Sequence, residues 1–131
     1  MTGPRARLVA RLQREMCTMP MFVTIGYGDQ DGYDRTAPEV RDRAHAHDDS
    51  LRAAGVRMGI AGHPVQVRNH DDSGAERTAG PFMQSSLPVA GFALIEAASL
   101  EDAIAMVSAT PCAVAQGVVE VWPLQEASAG G

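Results

Sequence analysis

Two histidines on one predicted helix are the side chains best suited to chemistry in this sequence. His45 and His47 lie in the run EVRDRAHAHDD, residues 39–49. At about 100° per residue, His47 falls on the apolar stripe of the helix, whereas His45 points about 200° away, toward solvent. An imidazole that faces an apolar pocket tends to stay neutral and could act as a base near pH 7. The alternative for His47 is a core histidine that hydrogen-bonds to the backbone.

Three further polar residues could assist such a base. Tyr27 and Ser85 carry hydroxyl groups, and His63 follows a predicted strand near the expected pocket mouth, although an ordinary loop position is its alternative. The spacing of the histidines does not support a metal site, because His45 and His47 diverge too far to bind one ion. The loop GYGDQDG lacks the lysine and the glycine spacing of a phosphate-binding loop. We therefore expect neither a metal nor another cofactor.

Most of the large side chains fall in predicted strands or beside them. Because aromatic residues make up only 5% of the chain, their positions matter. They could contact a substrate, or they could form the core and a subunit interface, and the second interpretation is favoured for most of them. Tyr27 and Trp122 keep a polar group that could orient a ligand. The candidates for substrate contact are Phe22, Met58, Phe82, Phe92 and Trp122.

The composition is that of one globular domain with a moderate negative charge. The chain has 131 residues, 45% hydrophobic and 21% charged, and a formal net charge of −5. This length suits a single core, and the charge disfavours a nucleic acid partner. Cys17 and Cys112 have no metal or disulfide-framework spacing and indicate free thiols in a reducing compartment. Because we find no apolar run of membrane-spanning length and no signal peptide, we expect a cytoplasmic protein with no membrane partner. The use of arginine without lysine, with many Ala, Gly and Val residues, indicates a GC-rich bacterial genome.

Hydrophobic periodicity predicts strands at 21–28, 56–62, 89–97 and 117–124, with one helix after the first strand and one after the third. The first helix is expected to begin at the N-cap Thr36, with Glu39 completing a capping box, and to stop at Gly55. Ser99 should cap the second helix. The resulting βαββαβ order predicts an α+β, ferredoxin-like domain, in which two helices cover one face of a four-stranded antiparallel sheet.

The predicted domain spans residues 19–125. Residues 1–18 are expected to be an N-terminal extension with a helical pattern, which the domain does not need, and residues 126–131 a flexible tail.

Both faces of the predicted sheet are apolar. Met21, Val23 and Ile25 alternate with Phe22 and Thr24, and the third and fourth strands show the same pattern. A sheet with one solvated face should instead alternate apolar and polar residues. Two helices can cover only one face, so the other needs a partner. A second copy of the chain, packed sheet against sheet, is the simplest partner.

The chain resembles the YCII-related family, in the branch with a DGPF signature, over roughly residues 21–124. The resemblance is carried by LRAAGV at 51–56, AGPF at 79–82, GFALIEAASLEDAIAMV at 91–107 and VEVWPL at 119–124. It implies a dimeric α/β barrel, that is, a homodimer with facing sheets and a pocket between sheet and helices in each subunit. Relatives in that superfamily include isomerases, a dehydrochlorinase, and cofactor-free monooxygenases and cyclases.

The resemblance therefore favours a cofactor-free enzyme that acts on a hydrophobic small molecule by proton transfer, as an isomerase, cyclase or lyase. His47 would be the acid or base of such an enzyme. The alternative is a non-catalytic module of the same family that binds a small molecule or has a regulatory role.

The sequence departs from the family pattern in two places. Charged or polar positions on either side of the glycine-proline turn are replaced by Ala79, Gln84, Ser85, Ser86 and Leu87. Relatives commonly pair a histidine of the first helix, which maps to residues 44–47 here, with an aspartate whose position is taken by Thr110. The resemblance thus adds Thr110 to the candidate substrate contacts. Gly80 and Pro81 keep the turn, which we expect to direct Phe82 toward the pocket or the dimer seam.

Overall fold

The computed structural model describes residues 20–125, so the predicted extension 1–18 and the tail 126–131 lie outside the described residues. In chain order the strands are β1 Met21–Tyr27, β2 Arg57–Ile60, β3 Val65–Arg68, β4 Glu76–Ala79, β5 Val89–Glu96 and β6 Val118–Leu124. Four of them form an antiparallel sheet in the order β2-β5-β1-β6. The predicted four-stranded antiparallel sheet is confirmed, and its strand order is compatible with a ferredoxin-like α+β fold.

The helices are α1 Gln30–Asp34, α2 Pro38–Ala53, α3 Leu100–Val107 and α4 Pro111–Val114. The two predicted helices correspond to α2 and α3, whereas α1 forms in a segment expected to be a loop. Asp29 caps α1 by accepting a hydrogen bond from the Gly32 amide at 2.8 Å. Within residues 20–125, no helix combines the length and the apolar character that a membrane crossing requires.

The start of α2 differs from the predicted capping box. Ala37 occupies the cap position, and no side chain caps the helix. Thr36 is buried instead, and its hydroxyl donates a hydrogen bond to the Gly32 carbonyl at 2.8 Å. The unexpected helix α1 supplies this acceptor, so Thr36 links α1 to α2 rather than capping α2. At the other end, Gly55 follows the helix with a φ of 98°, as predicted.

The core lies between the sheet and the helices. Phe22 of β1 and Ile95 of β5 are paired across the sheet and are only 3% and 1% exposed. Ala103 and Val107 pack against them from α3. This helix begins at the predicted cap, where Ser99 accepts a hydrogen bond from the Asp102 amide at 3.1 Å. Burial of a side chain such as Ile95 contributes about 1.5–3 kcal/mol.

The second face of the sheet is uncovered in the single chain. We call it the open face, and its exposed apolar residues are Phe92, Leu94, Val118, Trp122 and Leu124. Trp122 is paired with Val23 and Phe92 with Ile25, so β1 separates the two rings. The alternating residues Val119 and Val121 pack against the core instead.

β3 and β4 form a separate two-stranded ribbon between β2 and β5 in the chain. The sequence predicts a polar excursion here, in which Val65 and Val67 could extend the preceding strand as a ribbon. At the exit of the ribbon Gly80 has a φ of 100°, which confirms the expected glycine-dependent turn before Pro81.

Candidate functional site

A cleft of about 320 Å³ lies between α2 and the face of the sheet that carries the core. Its walls come from residues 45–52 of α2 and from residues 107–112 around the start of α4. The floor is formed by the sheet, mainly by Thr24, Gly26, Met58, Ile60, Ala93 and Ile95. Small-molecule sites typically have volumes of about 300–1,000 Å³ and mostly apolar walls with a few polar groups. The cleft therefore suits a small ligand.

Two glycines of the sheet shape the floor of the cleft. A Cβ on Gly91 would lie 2.7 Å from the Gly59 carbonyl oxygen, so β2 and β5 can approach each other here only as bare backbone. A Cβ on Gly26 would lie 2.8 Å from the Cys112 Sγ atom. Glycine at position 26 therefore lets the thiol of Cys112 lie directly over the sheet.

Asp48 is a carboxyl group at the cleft with a shifted pKa. It is half-buried on α2 and borders the cleft. Burial raises the pKa of its carboxyl above the ordinary 3.8, while Arg52 and the two helix histidines oppose this rise and Asp49 adds to it. A carboxyl with a raised pKa can donate a proton, as well as accept one, closer to neutral pH.

His45 also borders the cleft, although the helical stripe predicts that it faces solvent. Its ring is largely exposed, but the Nε2 atom lies 2.9 Å from the hydroxyl oxygen of Tyr33 on α1. The guanidinium carbon of Arg41 lies 4.7 Å from the centre of the Tyr33 ring, a cation–π distance. The position of His45 thus depends on α1, an element that the sequence pattern did not predict.

Cys112 adds a thiol to the same cleft. Burial raises the pKa of this thiol, and the negative charge of Asp48 raises it further. The thiolate is the nucleophilic form of cysteine. At neutral pH Cys112 is therefore a protonated, weakly polar wall residue rather than an activated nucleophile.

His47 is placed elsewhere than its stripe suggests. It borders neither described cavity, and its Nε2–H donates a hydrogen bond to the Met106 carbonyl at 2.6 Å. Helix α2 packs beside α4, and its C-terminal half also lines the cleft above the sheet. The buried stripe through Ala44 and Leu51 is therefore shared between two neighbours, and His47 faces the α3 side rather than the cleft. This is the backbone-bonded arrangement that the sequence left as its alternative.

The other predicted catalytic residues are not brought to the cleft either. Tyr27 lies at the end of β1, where hydrogen bonding to Glu120 raises the pKa of its phenol, and burial and the Glu120 charge add to the rise. His63 is exposed in the connection between β2 and β3. Ser85 is exposed in the loop before β5, where its hydroxyl donates to the Leu87 carbonyl.

The predicted substrate contacts are divided among several locations. Met58 and Thr110 border the cleft, and the Thr110 hydroxyl donates to the Val107 carbonyl at 2.6 Å. Phe92 also borders the cleft through its place in β5, but it alternates with core residues and is 49% exposed on the open face. Phe22 belongs to the core, and Trp122 to the open face. Phe82 is 76% exposed beside the ribbon, borders neither cavity, and packs near the Arg68 guanidinium.

A second cavity, of about 410 Å³, lies beyond the C-terminal end of α2. It is lined by Met21, Ala54, Gly55, Val56, Arg57, Leu94, Glu96 and Met106. It has no histidine or cysteine, and the only carboxylate that lines it is exposed. The first cleft therefore offers the richer set of groups for proton transfer.

Sequence reasoning missed Asp48, His45 and Cys112 as one group. Asp48 follows His47 by one residue, about 100° around α2. The two side chains therefore flank the buried Ala44 and Leu51 on opposite sides, and of the two only Asp48 borders the cleft. Cys112 follows the proline that starts α4, and no local pattern connects it to α2.

In the part of the chain that the structure describes, no three His, Cys, Asp or Glu side chains converge on one point. No protein-family model matches the chain, and the comparison with curated proteins gives no match. The molecule is thus characterised by its architecture, an α+β protein with a four-stranded antiparallel sheet and an apolar cleft under its longest helix.

Proposed function

We propose that this protein is a small cofactor-free enzyme that acts on a hydrophobic small molecule by proton transfer, in an isomerisation, cyclisation or elimination. The observation that carries this proposal is the position of Asp48, a partly desolvated carboxyl at an apolar cleft of ligand size. General acid–base catalysis requires such a group within reach of the substrate and with a pKa shifted toward the working pH.

In this proposal Asp48 exchanges the proton with the substrate. A ligand in the cleft would displace water from the carboxyl and so raise its pKa further, because desolvation disfavours the charged form. His45 is three residues away on α2 and supplies a second polar group at the same cleft. Met58 and Ile95 provide apolar contact, and the neutral thiol of Cys112 fills the wall without competing for the proton.

We propose further that the chain is a member of the YCII-related family and works as a homodimer with facing sheets. The strand order and the cleft between sheet and helices are what that resemblance implies. The apolar open face supports the dimer, because contiguous exposed apolar surface of this kind commonly marks an interface. Phe92 and Trp122 would then be buried between subunits rather than around the substrate.

A chromogenic elimination tests the proton-transfer function without knowledge of the natural substrate. In 5-nitrobenzisoxazole, removal of the C–H proton by a base breaks the N–O bond and releases a coloured cyanophenolate. We expect the protein to accelerate this reaction, and Asp48→Asn to reduce the acceleration ~10²-fold, as for loss of a positioned base. Asp42→Asn is the matched control, because Asp42 is exposed on the same helix and outside the cleft. Equal rates for wild type and Asp48→Asn would contradict the proposal.

The second candidate is a non-catalytic binding module, and one observation favours it. His47 is held by the Met106 carbonyl, and Thr110, at the position of the family aspartate, donates to Val107. His47 and Thr110 are therefore not arranged as an acid–base pair. Binding of the probe in the cleft without any Asp48-dependent turnover would support this module over the enzyme.

A further inference from the structure

Tyr33 of helix α1 contacts His45, the histidine that borders the cleft. The Tyr33 hydroxyl oxygen lies 2.9 Å from His45 Nε2, and the two rings are tilted by 58° with centroids 5.8 Å apart. This contact joins residues that are twelve positions apart in the chain. Because Tyr33 does not itself border the cleft, any effect that it has on a ligand must pass through His45.

The neighbours of α1 fix the position of Tyr33. Asp29 caps the helix through the Gly32 amide, and Thr36 donates to the Gly32 carbonyl. A Cβ on Gly32 would lie 2.6 Å from the Ala115 carbonyl oxygen, so the helix lies directly against the end of α4. Tyr33 follows this anchored glycine and therefore has a defined place beside α2.

The charges around the pair favour one direction for the hydrogen bond. The Arg41 guanidinium lies over the Tyr33 ring at 4.7 Å and draws electron density from it, which makes the phenol a better donor. A neutral imidazole that accepts at Nε2 carries its only proton on Nδ1.

We propose that Tyr33 is a positioning residue that holds His45 in the Nδ1–H form, so that the cleft takes an apolar molecule bearing a carbonyl oxygen. The inference rests on the proposed function of the cleft and names the class of ligand. With Nε2 occupied by Tyr33, Nδ1–H is the polar group that His45 can offer. A donor beside an apolar floor selects a ligand with an acceptor at that point. The Arg52 guanidinium, at the same wall, adds a second donor, although it also contacts Asp49 at 3.4 Å.

The tautomer can be measured directly, without any ligand. Two-dimensional ¹H–¹⁵N NMR of the imidazole rings at pH 8 distinguishes Nδ1–H from Nε2–H. We expect His45 to be Nδ1–H, whereas His47 should be Nε2–H, because its Nε2 faces a carbonyl that can only accept. Tyr33→Phe should shift His45 toward Nε2–H and leave His47 unchanged. His45 in the Nε2–H form in the wild type would overturn the inference, as would a Tyr33→Phe variant with an unchanged His45.

A matched pair of fluorinated probes tests the ligand class by ¹⁹F NMR. 4-Fluoroacetophenone carries the carbonyl, and 1-ethyl-4-fluorobenzene has a similar size without it. We expect Tyr33→Phe to weaken binding of the ketone about 3- to 10-fold, which corresponds to the loss of one neutral hydrogen bond. Binding of the hydrocarbon should be unchanged. Arg41→Gln should weaken binding of the ketone by a smaller factor. Equal losses for both probes would overturn the positioning role. If His45 and His47 have the expected tautomers but neither probe binds, the cleft is refuted as a ligand site while the tautomer assignment stands.

Discussion

A single charge on the open face should dissociate the proposed dimer. Phe92 is 49% exposed in the single chain, so about half of its side-chain area remains to be buried. For an aromatic residue that half is about 100 Å², worth about 2.5 kcal/mol at 25 cal/mol per Å². A twofold interface contains the residue twice, so Phe92→Asp should cost about 5 kcal/mol. The dimer Kd should therefore rise by roughly 10³- to 10⁴-fold.

Sedimentation velocity across a concentration series measures this change. We expect the wild type to be a dimer at micromolar concentration and Phe92→Asp to be a monomer with unchanged circular dichroism. Phe82→Asp is the control, because it introduces the same charge on a residue that is 76% exposed but lies away from the sheet. A monomeric wild type, or the same Kd for Phe92→Asp, would refute the assignment of the open face as the interface.

Three further substitutions test the geometry of the core and cleft. Gly26→Ala should cost about 1–3 kcal/mol in urea unfolding, because its Cβ would lie 2.8 Å from the Cys112 sulfur; adding Cys112→Ala should recover most of the loss. The pKa of Asp48 is raised in the folded state, so the protonated carboxyl stabilises the folded protein. This stabilisation is lost as the pH rises from 3.8 through the folded-state pKa. Asp48→Asn should therefore gain in Tm relative to wild type over that window and show no such trend below it. Ser99→Ala should lower the unfolding free energy by about 1 kcal/mol through loss of the α3 cap.

The sheet could be predicted because its signals are local. Apolar, β-rich runs beside glycine or proline marked β1, β5 and β6, and the glycine after α2 marked the end of that helix. The pairing of Phe22 with Ile95 and of Thr24 with Ala93 follows once these strands are aligned. The ribbon had weaker signals, because β3 and β4 are four residues each and contact mainly one another.

The candidate site could not be predicted with the same success, because it depends on the rotation of one helix. A stripe that contains Ala44, His47 and Leu51 shows which side of α2 is buried, but not which neighbour each residue meets. The short helix α4 takes part of that side, and His47 turns to the Met106 carbonyl. Helix α1, which orients His45, begins with a capping aspartate inside a run that resembles a loop.

A ¹³C NMR titration of the Asp48 carboxyl is the most direct test of the proposed site. We expect its pKa to lie above 3.8 in the free protein and to rise further when 4-fluoroacetophenone is bound, because the ligand removes water from the carboxyl. Asp42, exposed on the same helix, should not respond to the ligand. An Asp48 pKa at or below 3.8, or one that saturating ligand leaves unchanged, would contradict a proton-transfer site in this cleft.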